Sequence, residues 1–134
     1  MENQVTASGD GAIATGIGSK ATANGSASFG TYSESTATGS FSAGYYSKAS
    51  GDNSIAMGNA NTASGTNSFA NGIGTQATGT QSMATGYYTK ATNTSSFAGG
   101  TYSIAEGGDS VAFGNGTKAH GSRAAVFGWQ TYAG

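Results

Sequence analysis

Few of the residue types that carry out enzyme chemistry occur in this chain, which has one His and no Cys among 134 residues. His120 lies close in sequence to Asp109 and Ser110, which together are the residue types of a Ser–His–Asp nucleophile. Such a triad requires a buried orienting carboxylate and a pocket around the nucleophile. We expect His120 on the protein surface, and we therefore predict no catalytic residue and no enzyme.

A metal site has equally little support. The segment Glu106–Asp109 reads Glu-Gly-Gly-Asp and is similar to one unit of a calcium-binding loop. Solenoid calcium sites need such units in series, because each ion is held between neighbouring units. The unit occurs once here, so we predict neither a metal site nor a cofactor.

Aromatic residues are a stronger candidate for binding. Seven of them follow a Gly by one or two residues: Tyr32, Tyr45, Tyr46, Tyr87, Tyr88, Tyr102 and Trp129. Exposed aromatic side chains could stack on sugars or anchor a protein partner. The same residues could instead cap a groove between subunits, and the sequence leaves both interpretations open.

Pairs of hydroxyl residues two positions apart form a further pattern. They are Thr36/Thr38, Ser64/Thr66, Thr78/Thr80 and Thr92/Thr94. Flat Thr-x-Thr ladders are typical of ice-binding solenoids, but solvated turns have the same composition. Asn24, Asp52, Glu106 and His120 interrupt the pattern, so ice binding is the less favoured hypothesis.

The charge pattern and the distribution of apolar residues exclude a nucleic-acid partner and a membrane span. Five Lys+Arg scattered among six Asp+Glu form no basic stripe that could follow a phosphate backbone, so we predict no nucleic acid. No run of 18 apolar residues exists, so we predict no membrane span.

An internal repeat organises the whole chain. Gly recurs nine times at a spacing of 14 residues: Gly16, Gly30, Gly44, Gly58, Gly72, Gly86, Gly100, Gly114 and Gly128. Chance would produce this roughly a few times in a million. We number each unit from 1 to 14 so that this Gly is position 5. The sequence then predicts one domain over residues 1–134, with nine coils starting near Ala12 and a partial coil over residues 1–11.

The columns of the repeat predict which side chains point inward. Positions 3 and 10 carry Ala or Ser with the exception of Val126, and position 8 carries only Ser, Thr or Asn. Because side chains alternate along a strand, these small residues can line the inside of a coil made of two short strands. Gly tolerates positive φ, and we assign the position-5 glycines to the tight turns. The composition contradicts a helical structure, since Gly, Ser and Thr are poor helix formers.

Large apolar residues occupy positions 2 and 4, on the outside of such a coil. They are Ile13, Phe29, Phe41, Ile55, Met57, Phe69, Met83, Phe97, Val111, Phe113 and Phe127. A continuous stripe of this size exceeds the few hundred Å² that a soluble monomer exposes. We therefore predict that these residues form an interface between subunits of an oligomeric rod, about 45 Å long at about 4.8 Å per strand layer.

Three segments carry a resemblance to a known family. Asn53–Gly58, Asn67–Gly72 and Asp109–Gly114 are similar to the Asn-Ser-Val-Ala-Ile-Gly signature of YadA-like head repeats, and a Ser/Thr/Asn-x-Ala motif follows each. The resemblance covers nearly the whole chain. The family's Val and Ile are often replaced here by Phe, Met or Thr.

The resemblance implies a fold and a function. The fold would be an all-β, left-handed parallel β-roll with two short strands per coil, assembled as a homotrimeric rod. The function would be that of a trimeric autotransporter adhesin head on the bacterial surface, which binds an extracellular matrix protein or a surface glycan through multivalent contacts. The alternative is a segment of a phage tail fibre or another structural spacer, because such fibres have similar repeats.

Overall fold

The computed structural model describes residues 3–134, which form a parallel β-solenoid of about nine turns with no helix among them. The all-β repeat fold predicted from the sequence is thus confirmed. Each coil contributes one strand of up to five residues to one sheet and one strand of two residues to a second sheet.

The nine strands of the long-strand sheet cover positions 2–6 of each coil, and the first of them is shorter. They are β2 Ile13–Thr15, β4 Ala27–Thr31, β6 Phe41–Tyr45, β8 Ile55–Asn59, β10 Phe69–Ile73, β12 Met83–Tyr87, β14 Phe97–Thr101, β16 Val111–Asn115 and β18 Ala125–Trp129.

The ten strands of the short-strand sheet cover positions 9 and 10. They are β1 Thr6–Ala7, β3 Lys20–Ala21, β5 Glu34–Ser35, β7 Lys48–Ala49, β9 Thr62–Ala63, β11 Gln76–Ala77, β13 Lys90–Ala91, β15 Ile104–Ala105, β17 Lys118–Ala119 and β19 Tyr132–Ala133.

All strand pairs in both sheets are parallel and in register. Each residue is paired with its equivalent 14 positions away, as Phe69 is with Met83 and Met83 with Phe97. A column of the sequence repeat is therefore a row of side chains along the rod. This is why each column of the repeat could be assigned from the sequence either to the surface or to the core.

The interior of the solenoid consists of the small residues. Twelve alanines at positions 3 and 10, among them Ala56, Ala63 and Ala77, have no exposed surface. Val126 takes the same place in the last coil and is 5% exposed. The predicted inward direction of positions 3, 8 and 10 is confirmed.

Eight of the nine position-5 glycines lie inside the long strands, one residue before the strand ends, and Gly16 directly follows β2. Gly86 shows why no other residue fits: its φ is +119°, and a Cβ on it would lie 2.0 Å from the carbonyl oxygen of Gly100 in the next coil. The left-handed residue of the turn itself is position 7, occupied for example by Tyr46 with φ of 54°. These glycines therefore allow adjacent coils to approach closely where the chain begins to turn.

A Ser at position 1 closes the other turn in four coils, through Ser26, Ser40, Ser96 and Ser110. The Ser26 hydroxyl donates to the Ala23 carbonyl at 2.6 Å, and Ser110 does the same to Gly107. Both serines have no exposed surface. Each of these hydroxyls satisfies a carbonyl at position 12. Ser68 and Ser82, in the same column, are buried without a hydrogen-bond partner.

Candidate functional site

The apolar stripe, defined by the eleven residues listed above for positions 2 and 4, lies on the outer face of the long-strand sheet. In the single chain Ile13, Met83, Phe113 and Phe127 are exposed, the last by 64%. The remaining seven are half-buried by their neighbours in adjacent coils. The stripe is thus a continuous apolar surface along one side of the rod.

Gly99 interrupts the stripe in sequence but not in space. The Phe113 ring lies over Gly99, where a Cβ would come within 2.6 Å of it, and it stacks on Phe97 with ring centroids 6.2 Å apart. Gly99 is buried under this ring. A small residue here lets a large side chain from the next coil cover the position.

Position 6 is the last residue of each long strand after the first, directly before the turn. Tyr45 and Tyr87 take this position, and both are exposed. Trp129 takes this position in the last coil and is 68% exposed. Position 6 thus joins the stripe to the turn.

The tyrosine corner, defined as Tyr32, Tyr45, Tyr46, Tyr87, Tyr88, Tyr102 and Trp129, contains two separate groups of tyrosine rings. In the first group Tyr32 and Tyr46 stack with centroids 5.0 Å apart, and Tyr45 meets Tyr46 edge to face.

The second group repeats this arrangement farther along the rod. Tyr88 and Tyr102 stack with centroids 5.9 Å apart, and Tyr87 is edge-on to both. Five of these six tyrosines are 42–53% exposed, and Tyr32 is half-buried.

The stacked rings lean toward the N-terminal end of the rod. The Tyr88 ring lies across Gly74 in the preceding coil, where a Cβ would be 2.7 Å from the ring. The Tyr32 hydroxyl donates to the Asn3 side-chain oxygen at 2.5 Å, two coils away. Each stacked pair therefore directly follows a coil that has Gly at position 7.

The neighbouring rings change the acidity of two phenols. Partial desolvation, followed by the charges of Tyr45 and Tyr32, raises the pKa of Tyr46 above its ordinary value. A hydrogen bond with Tyr102 is the main cause that raises the pKa of Tyr87. The folded corner therefore favours neutral phenols.

The residues considered for catalysis do not form a nucleophilic site. The Ser110 hydroxyl is buried and donates to the Gly107 carbonyl, whereas His120 contacts the carboxylate of Glu106 through Nδ1. Residues 3–134 contain no group of three or more His, Cys, Asp or Glu side chains placed to hold a metal ion. No helix in this part of the chain is long and apolar enough to cross a membrane.

The hydroxyl pairs of the predicted ladder are all exposed on the opposite turn of the coil. Thr78, Thr80, Thr92 and Thr94 form its longest regular part, together with Ser64 and Thr66. Asp52 interrupts the ladder and accepts a hydrogen bond from the Thr38 amide at 3.2 Å. The hydroxyl pairs thus form two separate patches.

A charged ladder lies on the short-strand sheet. Glu34 is within 3.5 Å of Lys20 and 3.8 Å of Lys48 in the adjacent coils. Exposed pairs of this kind contribute little stability, about 0–1 kcal/mol each. Like other charges on an open sheet surface, they discourage sideways aggregation.

The family of this chain follows from its repeats. A family model described as "YadA head domain repeat (2 copies)" matches residues 7–33, 35–61, 49–75, 63–89, 77–103 and 105–131. The chain belongs to the YadA head domain family. No curated protein matches it.

Membership of the YadA head domain family explains the solenoid architecture and indicates the broad class of function. This YadA head is a domain of the type found in trimeric autotransporter adhesins, and that family forms surface-exposed homotrimers. The family is an adhesin family and is generally non-enzymatic.

Proposed function

We propose that this chain is the ligand-binding part of an extracellular, homotrimeric adhesin rod that attaches to an extracellular matrix protein or a surface glycan. The observation that carries the proposal is that two features lie next to each other on the coil, one on the long strand and one mainly in the turn that follows it. The apolar stripe provides a surface for sister chains, and the tyrosine corner provides an exposed row of aromatic rings beside it.

The apolar stripe supports the trimer because the interior of the single chain is too small to stabilise it alone. Alanine and serine bury little apolar area, and at about 25 cal/mol per Å² they offset little of the backbone entropy of about 1–2 kcal/mol per residue. Phe69 and Phe97 remain only half-buried in the single chain. Packing the stripes of three chains against one another would supply the missing burial.

The tyrosine corner supports ligand binding because its rings are exposed and already ordered. Stacked and edge-to-face contacts hold Tyr46 and Tyr88 in place, so that binding would cost little side-chain entropy. Repetition along the rod and across three chains would raise avidity without a strong single site.

The trimer is tested by placing charges in the stripe. Replacing Phe69 and Phe97 with Asp is expected to dissociate the oligomer and unfold the chain together, as seen by sedimentation equilibrium and far-UV circular dichroism. The matched control places Asp at Gln76 and Lys90, which are exposed on the short-strand sheet. A folded, soluble monomer carrying the two stripe substitutions would refute the proposed interface.

Ligand binding is tested on arrays of glycans and matrix proteins. Tyr46→Ala together with Tyr88→Ala is expected to reduce binding more than tenfold, because the multivalent rod loses several contacts at once. Both positions should accept Ala, since Ala60 occupies the same place in another coil. Tyr132→Ala, on an exposed ring outside the corner, is the control. Undiminished binding by the double variant would exclude the tyrosine corner as the contact site.

A further inference from the structure

Tyrosine rings of adjacent coils lie over one another at two places on the rod. Tyr32 and Tyr46 stack with centroids 5.0 Å apart and planes tilted by 23°, and Tyr88 and Tyr102 stack at 5.9 Å and 15°. The members of each pair are 14 residues apart in sequence and take the same position in successive coils. Their φ angles lie between 51° and 55°. Because nearly parallel rings leave equivalent backbones, equivalent ring atoms lie opposite each other.

Opposed phenol rings at this separation suit one reaction of tyrosine, which is oxidative coupling. Removing one hydrogen atom from each phenol gives two phenoxyl radicals, whose unpaired electrons lie partly on the ring carbons ortho to the oxygen. Two such radicals combine by forming a carbon–carbon bond between ortho carbons. The hydrogen on each of these carbons then moves to the phenol oxygen. The product is a dityrosine link, with both phenols restored and two hydrogen atoms fewer than two tyrosines.

We propose that Tyr32–Tyr46 and Tyr88–Tyr102 are sites of dityrosine formation within one chain, with hydrogen peroxide as the oxidant and a haem peroxidase as the catalyst. One molecule of peroxide accepts the two hydrogen atoms released by one link and becomes two molecules of water. The tyrosines are oxidised and the peroxide is reduced, so atoms and electrons balance. Each link joins one coil to the next through their side chains.

The four rings can be oxidised from solvent. Tyr46, Tyr88 and Tyr102 are exposed, and Tyr32 is half-buried. Exposed side chains move on the picosecond-to-nanosecond timescale, so the ortho carbons can approach to bonding distance. The parallel, in-register backbone meanwhile keeps the two residues of a pair about 4.8 Å apart. The fold thus holds the two radicals together until they combine.

The other ring contacts of the tyrosine corner are less suited to coupling. Tyr45 meets Tyr46 at an interplanar angle of 79°. Tyr87 meets Tyr88 and Tyr102 at 78° and 89°. Perpendicular rings direct the edge of one at the face of the other, so their ortho carbons are not opposed. The two stacked pairs cannot react with each other, because three layers of about 4.8 Å separate their nearest coils.

A link at either site should make the rod harder to unfold. In a solenoid each coil contacts only its neighbours, so coils can separate one from the next. A covalent link between successive coils prevents that separation and closes a loop in the unfolded chain, which restricts the unfolded state as a disulfide does. We therefore expect the linked rod to unfold at a higher urea concentration than the untreated rod.

The test treats the assembled rod with hydrogen peroxide and a haem peroxidase and measures the mass of the denatured chain. Both links together should lower the mass of a single chain by four hydrogen atoms. A link between chains would instead give products of twice or three times the chain mass. Dityrosine fluorescence follows the reaction, and far-UV circular dichroism shows that the rod stays folded.

Trypsin digestion then locates each link, since trypsin cleaves after Lys and Arg. Tyr32 and Tyr46 lie in one peptide, residues 21–48, which should lose two hydrogen atoms and remain a single peptide. A link between the other two tyrosines should join the peptide of residues 49–90 to that of residues 91–118.

Phe substitutions identify the reacting rings, because Phe keeps the ring and removes the phenol. Tyr88→Phe and Tyr102→Phe should each lower the yield of the joined peptides at least tenfold. Tyr87→Phe is the matched control, because this edge-on ring lies in the same peptide as Tyr88. It should leave the yield within twofold of that of the unmodified rod. Tyr132→Phe, on an exposed ring outside the corner, should have no effect.

Three results would overturn the inference. The first is a folded rod that forms no dityrosine, and the second is a product consisting mainly of linked chains of doubled or tripled mass. The third is a loss of the joined peptides in Tyr87→Phe as large as that in Tyr88→Phe. An unchanged midpoint of urea unfolding in the linked rod would contradict the stabilising role.

This inference goes beyond the proposed function and is tested separately from it, because coupling requires no ligand. A rod that forms both links but binds no arrayed ligand contradicts only the proposed adhesive role. A rod that binds an arrayed ligand but forms no links within its chains contradicts only the proposed coupling.

Discussion

Asn61 should contribute more to stability than any other polar side chain in the interior, because all its hydrogen-bonding groups are used. It is the largest of the fully buried side chains, in a core otherwise made of Ala, Ser, Thr and Val126. Its amide nitrogen donates to the carbonyls of Met57 at 2.5 Å and Gly72 at 2.7 Å. Its oxygen accepts from the amide and the hydroxyl of Thr75 at 2.9 and 2.8 Å.

Removing this side chain leaves several groups without a partner. Asn61→Ala withdraws the acceptor of the Thr75 amide and the donor to the Met57 and Gly72 carbonyls. A buried polar group that loses its partner costs about 1–3 kcal/mol. With the Thr75 hydroxyl, four groups lose a partner, and we expect the free energy of unfolding to fall by about 3–5 kcal/mol.

A smaller hydroxyl at this position should restore part of the loss. Ser47 and Ser103 occupy the equivalent place in other coils and donate to the carbonyls of Gly58 and Gly114 at 3.0 and 3.1 Å. Asn61→Ser can make the same contact with Gly72. We expect it to recover about 1 kcal/mol of the loss seen with Ala.

The assay is urea unfolding followed by far-UV circular dichroism at one fixed chain concentration, because an oligomer's stability depends on concentration. Asn59→Ala is the control, since this residue is exposed two positions earlier in the same coil. If Asn61→Ala and Asn59→Ala lie within about 0.5 kcal/mol of each other, the interior hydrogen bonds do not contribute as we reason.

Two further predictions concern the interior and the corner. Ala77→Leu should overpack the flat core and lower stability by at least about 1–3 kcal/mol. Gln76→Leu, on the opposite face of the same strand, is the control and should change the melting temperature little. An unchanged melting temperature for Ala77→Leu would contradict the assignment of Ala77 to the inner face. The pKa values of Tyr46 and Tyr87 are raised in the folded state, so folding favours the neutral phenols. The contribution of these neutral phenols to folding stability is therefore present below the ordinary tyrosine pKa of about 10, and it is lost as pH rises through the raised pKa values. Thermal melts at increasing alkaline pH, with phenolate absorbance followed in parallel, should show Tyr46→Ala to be less sensitive to pH than the unmodified chain; equal sensitivity would be evidence against this linkage.

Much of the fold could be predicted because the parallel, in-register solenoid stacks each residue on its own equivalent. The 14-residue period of Gly became a row along the rod, and the Ala columns became the buried interior. Alternation along a strand then separated the inner from the outer face. These properties depend on residue type and spacing alone, which is why a single sequence sufficed.

The details of side-chain contact needed the three-dimensional structure. The sequence shows Tyr at position 7 of four coils, but it does not show that the Tyr88 ring leans by one coil and lies across Gly74. It also shows Asn61 as one member of a polar column without revealing its four hydrogen bonds. Both features depend on side-chain rotamers and on the residues of adjacent coils. A side chain that is long enough to reach another coil makes contacts that its position within its own coil does not determine.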